Sequence, residues 1–138
     1  MLDAIPDLWP AYFGETDVNP PVVILREQGA FLGQQLKNRI KGSVKSTDSG
    51  EKLRHDFYIV VPPLGNYHYR LFAVQHDIGF YPLVISQYKD MNEIKCQTEE
   101  EFVAALRDVL NSEWTHRVIA CLAAQIEAPP KRKAERSS

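Results

Sequence analysis

A Glu-x-Lys triplet near residue 94 is the part of this sequence whose spacing most suggests catalysis. Glu93 and Lys95 are spaced as in metal-dependent nucleases, where two carboxylates hold Mg²⁺ and the lysine helps to activate water. Asp77, sixteen residues upstream of Glu93, would supply the second carboxylate. A chain with 18 acidic residues produces such triplets by chance, and solvation of a strand edge explains this one equally well. Of three possible functions, a metal-dependent nuclease is therefore favoured least, after a protein-interaction module and a nucleic-acid-binding protein.

Histidines occur next to acidic residues at two places. His55-Asp56 and His76-Asp77 each join an imidazole to a carboxylate, which are the ingredients of an oriented general base. Adjacent residues of a strand point to opposite faces, so neither pair is arranged as a dyad. His68 and His76 would lie about 26 Å apart along one strand, which is too far to share an ion. We predict structural or surface roles for the histidines, with no metal site, no cofactor and no catalytic residue, and we favour a non-enzyme.

Basic residues are concentrated between residues 37 and 54, a segment that we call the basic strip. Arg39, Lys41 and Lys45 are predicted to share one face of the first strand, opposite Ile40 and Val44. A solvated edge strand that is protected against aggregation is one explanation. The other explanation is a binding surface for an acidic partner or for the backbone of a nucleic acid, which is the second hypothesis for the function.

Large apolar side chains are grouped before residue 14. Leu8, Trp9, Tyr12 and Phe13 lie in a short segment that is interrupted by prolines, which forbid a long helix there. Such a segment does not easily bury four large side chains by itself, so this group is the candidate contact surface for a protein partner. Packing of the same side chains against the helices of the domain is the alternative.

The composition limits the class of protein. The chain has 138 residues, of which 44% are apolar and 25% are charged, with two cysteines and a formal net charge of −2. These values fit one globular domain and exclude a collagen-like chain, a disordered chain, a disulfide framework and binding of nucleic acid by bulk positive charge. No run approaches the ~18 apolar residues of a membrane span, and the first residues lack the features of a signal peptide. We therefore expect a cytoplasmic protein that does not contact a membrane.

The spacing of apolar residues predicts a first helix over residues 20–37. Positions at intervals of three and four are occupied by Val22, Leu25, Gly29, Leu32 and Leu36. Asn19 is the expected cap, because its side chain accepts from free N–H groups and a proline at the first helical position loses no hydrogen bond. The glycine within the apolar stripe predicts that another element crosses close to the helix there.

Four strands and two further helices are predicted after this helix. The first strand begins at residue 39, and the others span residues 56–61, 67–74 and 80–88. Their connections are too short for a crossover helix, so consecutive strands should be antiparallel neighbours. Thr98 and Glu101 form a capping-box pattern at the start of the next helix. Asn111 and Ser112 mark a break before the last helix.

Together these patterns predict an α+β domain over residues 1–130, with an N-terminal helix, a four-stranded antiparallel meander and two C-terminal helices packed on one face of the sheet. Residues 131–138 are predicted to be a flexible basic tail. The favoured function is a small non-enzymatic interaction protein of the accessory, immunity, antitoxin or anti-defence type. It would bind a protein partner through a sheet edge or through the N-terminal aromatic segment, and edge pairing also allows a homodimer.

Overall fold

The computed structural model describes residues 6–9 and 19–127, and these form three helices and five strands. In chain order they are α1 (Pro21–Gln35), β1 (Lys41–Ser49), β2 (Lys52–Val61), β3 (Tyr67–His76), β4 (Leu83–Gln87), β5 (Glu93–Cys96), α2 (Glu99–Leu110) and α3 (Glu113–Glu127). A short 3₁₀ turn, Pro62–Leu64, separates β2 from β3. The predicted α+β class is confirmed.

The strands form one antiparallel sheet in the order β1-β2-β3-β4-β5, so each strand pairs with its neighbour in the chain. A two-residue turn joins β1 to β2, and Gly50 in this turn adopts a left-handed φ of 67°. The meander is confirmed, but the predicted number of four strands is wrong. β5 was missed because it has four residues, too few for an alternating pattern to stand out. β4 begins at Leu83 and not at residue 80, directly after Pro82, which cannot donate to the sheet.

The helices pack together on one face of the sheet, as predicted, and the core lies between the two layers. Leu25 of α1, Phe102 of α2 and Leu122 of α3 belong to the same buried cluster as the inward side chains of the sheet. Near its centre the rings of Phe57 and Phe72 are stacked with their centroids 5.0 Å apart. Full burial of a side chain of this size stabilises the fold by roughly 1.5–3 kcal/mol.

α1 approaches β1 closely at a contact between two glycines. A Cβ atom on Gly29 would lie 2.6 Å from the carbonyl oxygen of Gly42, and a Cβ atom on Gly42 would lie 2.5 Å from the Cα atom of Gly29. No side chain fits into such a gap, so the crossing requires glycine at both positions. The prediction that another element crosses at Gly29 is confirmed, and that element is β1.

The two predicted helix starts have different outcomes. Pro20, and not Asn19, occupies the cap position of α1, and no side chain caps this helix. The predicted asparagine cap is wrong because the helix begins one residue later than expected, at Pro21. At α2 the Thr98 cap is confirmed, since the backbone N–H of Glu101 donates to the Thr98 hydroxyl over 3.1 Å. The Glu101 carboxylate, however, accepts from the backbone N–H of Gln97, one residue before the predicted partner, over 2.7 Å.

The described residues form one α+β domain, with α2 and α3 separated at the predicted break. The predicted domain boundary at residue 130 and the predicted tail over residues 131–138 lie outside the described residues. None of the helices in this part of the chain has the length and apolar character that crossing a bilayer requires.

We predict that Gly29→Ala destabilises the protein, although alanine favours a helix over glycine by about 1 kcal/mol. The added methyl group would overlap the Gly42 carbonyl, and separating α1 from β1 costs on the order of 1–3 kcal/mol. Urea unfolding followed by circular dichroism measures the change. Gly79→Ala is the matched control, because apart from Gly79 and its two chain neighbours no described residue lies within 4 Å of its Cβ position. A Gly29→Ala variant as stable as the wild type would contradict the close contact.

Candidate functional site

One face of the sheet carries none of the described helices, and we call it the open face. Strand alternation and the register pairs Lys45–Asp56, Asp56–Ala73 and Tyr58–Arg70 define which side chains lie on it. Within the described strands, seven basic residues lie on this face, namely Lys41, Lys45, Lys52, Arg54, His68, Arg70 and Lys95. The open face is therefore a basic surface on the side of the sheet opposite the core.

The carboxylate of Asp56 organises the centre of the open face. Its side chain is only 8% exposed, and Oδ1 lies 3.2 Å from Arg54 Nε and 3.9 Å from Arg70 Nη1. The hydroxyl of Tyr88 donates to the same oxygen over 3.4 Å and accepts from Arg54. Burial of a carboxylate without partners has a high free-energy cost, so these contacts stabilise Asp56 in its buried position. Asp56 in turn fixes two guanidinium groups on this surface.

Aromatic rings lie among these cations. The guanidinium carbon of Arg70 lies 4.1 Å from the centroid of the Tyr88 ring, which is a cation–π contact. Tyr58 and His68 contact each other edge to face, with ring centroids 5.9 Å apart. Both rings line a surface cavity of about 640 Å³ together with Lys45 and Arg70. The open face thus combines positively charged side chains with aromatic rings, two kinds of group that can contact phosphates and bases, respectively.

Acidic residues predominate in the helical layer. α2 contains four acidic residues and one arginine, and α3 contains two acidic residues and one arginine. Among the described strand residues of the open face, the acids are Asp56, which is buried, and Glu93 on β5. The net charge of −2 therefore conceals a division between an acidic helical layer and a basic sheet face.

The three basic candidates from the sequence do not share one face. Lys41 and Lys45 lie on the open face through their register with β2. Arg39 precedes β1, and its Nη1 atom lies 2.8 Å from a carboxylate oxygen of Glu127 on α3. The prediction that Arg39 shares the face of the two lysines is therefore wrong, because this ion pair directs its side chain to the helical layer.

The aromatic candidates are described only in part. Leu8 is 81% exposed and Trp9 is 70% exposed, so neither is buried against the described part of the domain. Tyr12 and Phe13 lie outside the described residues. A protein-contact role for this segment stays a prediction.

The three nuclease candidates lie at one end of the sheet. Asp77, Glu93 and Lys95 all line a cavity of about 310 Å³. The Asp77 carboxylate, however, lies 3.0 Å from the ammonium group of Lys52. Nowhere in residues 6–9 and 19–127 do three or more histidine, cysteine or acidic side chains converge as ligands for a metal ion. The nuclease hypothesis gains no support from this geometry.

A hydrogen-bonded chain of side chains, which the sequence patterns did not reveal, links the first three strands on the helical side. Ser46 Oγ lies 2.7 Å from His55 Nδ1, and His55 Nε2 lies 2.9 Å from His76 Nε2. His76 Nδ1 lies 2.6 Å from the carbonyl oxygen of Asp77. That oxygen only accepts, so His76 Nδ1 donates to it and Nε2 of the neutral ring accepts from His55. The Ser46 hydroxyl then donates to His55 Nδ1.

The Ser46 hydroxyl donates to the His55 imidazole as a catalytic serine donates to its general base. The low pKa of His55, however, favours a structural role for this chain of hydrogen bonds. Burial is the largest cause that lowers the pKa of His55 from 6.5 to about 4, and a proton on the adjacent His76 or the charge of Arg26 acts in the same direction. So weak a base is poorly suited to take a proton from the Ser46 hydroxyl at neutral pH. The chain instead connects β1, β2 and β3 through polar groups that satisfy one another.

The sequence patterns missed the residues that hold the open face together. Asp56 and Tyr88 lie far apart in the chain and meet only through the sheet. The contact of His55 with His76 was accessible in principle, since antiparallel pairing of β2 with β3 brings the two residues to diagonal positions on one face. A correct register is needed for either contact, and the strand boundaries expected from the sequence do not supply it.

We predict that the His55 imidazole makes the free energy of unfolding depend on pH. Between about pH 4 and pH 6.5 the unfolded chain binds a proton that the folded chain excludes, so stability falls as the pH decreases through this window. His55→Gln removes the titrating group and should flatten this part of the profile of urea midpoint against pH. His116→Gln, at an exposed site on α3, should leave the wild-type slope unchanged. Parallel profiles for wild type and His55→Gln would refute the assignment.

Comparison with known proteins assigns neither a family nor a function to this chain. No family model matches the chain, and neither a curated protein nor a solved structure matches it. The functional interpretation of the open face therefore depends on its own residues and geometry.

Proposed function

We propose that this protein binds nucleic acid through the open face of its sheet. The observation that carries the proposal is the charge of that face, where six lysines and arginines stand against one buried and one exposed carboxylate on the strands. Lysine and arginine side chains bind a nucleic acid mainly by contacting its phosphates. This is the second hypothesis from the sequence, now extended from the basic strip to the whole open face.

The arrangement of the cations suits a chain of phosphates better than a single anion. The basic residues are distributed over β1, β2, β3 and β5, and five strands spaced by about 4.8 Å span about 19 Å. A polyanion crossing the sheet meets several of these cations at once, which a small anion cannot do.

The acidic helical layer supports the same proposal, because it would turn the open face of the protein toward an approaching nucleic acid. An approaching polyanion is repelled by the carboxylates of α2 and α3 and attracted by the opposite face of the sheet. Charge segregation of this kind allows a protein of slightly negative net charge to bind nucleic acid, because the local field governs the encounter.

We predict that the double charge reversal Lys41→Glu with Lys45→Glu weakens binding of a labelled oligonucleotide at least about tenfold at low salt. It should also reduce the slope of log K against log salt by about two, because each lysine lost removes about one phosphate contact. Fluorescence anisotropy over a salt series measures both quantities.

The matched control for this pair is Arg107→Glu with Arg117→Glu. It introduces the same change in net charge at exposed positions of α2 and α3, and it should leave binding unchanged. Wild-type protein that shows no salt-dependent binding would overturn the proposal. Equal weakening by the two double variants would also overturn it, since only net charge would then matter.

A second candidate is the favoured hypothesis from the sequence, in which a protein partner adds a strand to the edge of the sheet. The observation that favours it is β1, which has nine residues without proline or bulge and pairs with no other described strand than β2. The exposed Leu8 and Trp9 side chains would add apolar contacts. Light scattering over a range of protein concentrations tests the homodimer form of this candidate, and a monomer throughout would contradict that form.

A further inference from the structure

We propose that the cavity on the open face is a subsite for one nucleotide of a single strand, with the base stacked on Tyr58. The inference rests on the nucleic-acid binding proposed above and names the form of nucleic acid that is bound. The cavity has a volume of about 640 Å³, within the usual range of small-ligand sites of roughly 300–1,000 Å³. It is lined by Ser43, Val44, Lys45, Tyr58, His68 and Arg70.

The polar and aromatic groups that line the cavity match the two parts of a nucleotide. Lys45, Arg70 and the Ser43 hydroxyl are hydrogen-bond donors that suit phosphate oxygens. The rings of Tyr58 and His68 are flat surfaces, and any base can stack on such a surface. An angle of 72° separates the two ring planes, so the rings form two walls of a corner and do not cover each other.

Arg70 is held in position before any ligand arrives. Its guanidinium group stacks on Tyr88, and its Nη1 atom lies 3.9 Å from Asp56. These contacts use one face of the group and one nitrogen, and the side chain remains 46% exposed. Further N–H groups of the five-donor guanidinium are thus left for a phosphate. A fixed donor loses less side-chain freedom on binding, which strengthens the contact.

The aromatic walls of the cavity favour a single strand over a duplex. Bases within a duplex are covered on both faces by their stacked neighbours, so none can stack on a protein ring without leaving the helix. A single strand exposes the faces of its bases and turns freely about its backbone. One base can therefore enter the cavity while Lys41, on β1, contacts the adjoining backbone.

The test compares Tyr58→Leu with Tyr58→Phe in the full-length protein, using anisotropy of a labelled oligothymidylate of roughly ten nucleotides and of a duplex of equal length. Wild-type protein should bind the single strand more tightly than the duplex. Tyr58→Leu should weaken single-strand binding about tenfold, because the stacking surface is lost, while duplex binding stays the same. Tyr58→Phe keeps the ring and should bind like the wild type.

The outcomes separate this inference from the proposed function. If neither oligonucleotide binds in a salt-dependent manner, the proposed function fails and the subsite fails with it. If both bind but the duplex is preferred, or Tyr58→Leu binds the single strand as well as Tyr58→Phe does, only the subsite is overturned. The preference of the wild-type protein needs no variant, so the inference is tested even if Tyr58→Leu fails to fold.

Discussion

A buried carboxylate between two guanidinium groups is the interaction on which the open face depends. Asp56 lies on β2, flanked by Lys45 on one neighbouring strand and Ala73 on the other. Without partners its burial would oppose folding, and the contacts with Arg54 and Arg70 offset part of that cost. The two arginines carry like charges that repel each other, and the carboxylate between them offsets the repulsion. The two guanidinium groups at the centre of this surface are consequently positioned by contacts with Asp56.

The open face exists because the helices pack together on the other side. β2 shows how one strand specifies both layers, since Phe57 and Ile59 lie in the core while the alternating Asp56 and Tyr58 face outward. The glycine contact between α1 and β1 extends the helical layer to the edge of the sheet. A helix on the open face would have to desolvate its lysines and arginines, which is far less favourable than covering the phenylalanines. The charge pattern of the strands therefore determines where the helices cannot go.

Local sequence patterns predicted the helices and most of the strands, but the pairing register of the strands determines which side chains lie on the open face. The apolar spacing in α1 and the capping box at α2 identified these helices because short-range geometry governs them. The position of Arg70 could not be predicted in this way. The register shifts by one residue between Phe57 and Tyr58, so Arg70 pairs with Tyr58 and Leu71 is the additional residue. Simple alternation back from Gln75 through Ala73 would place Leu71 on the open face and Arg70 in the core. A bulge set by tertiary packing reverses that assignment, and no local pattern marks it.

β1 takes part in both candidate functions, but each function uses different atoms of the strand. Binding of nucleic acid uses the Lys41 and Lys45 side chains, which project from the sheet, whereas strand addition uses backbone groups in its plane. Two copies paired antiparallel along β1 would be related by a two-fold axis perpendicular to the sheet. Such an axis places both open faces on the same side and joins them into one basic surface of ten strands. Dimerisation through this edge would therefore lengthen the proposed nucleic-acid site and leave its cations uncovered, so the two candidates do not compete for the same surface.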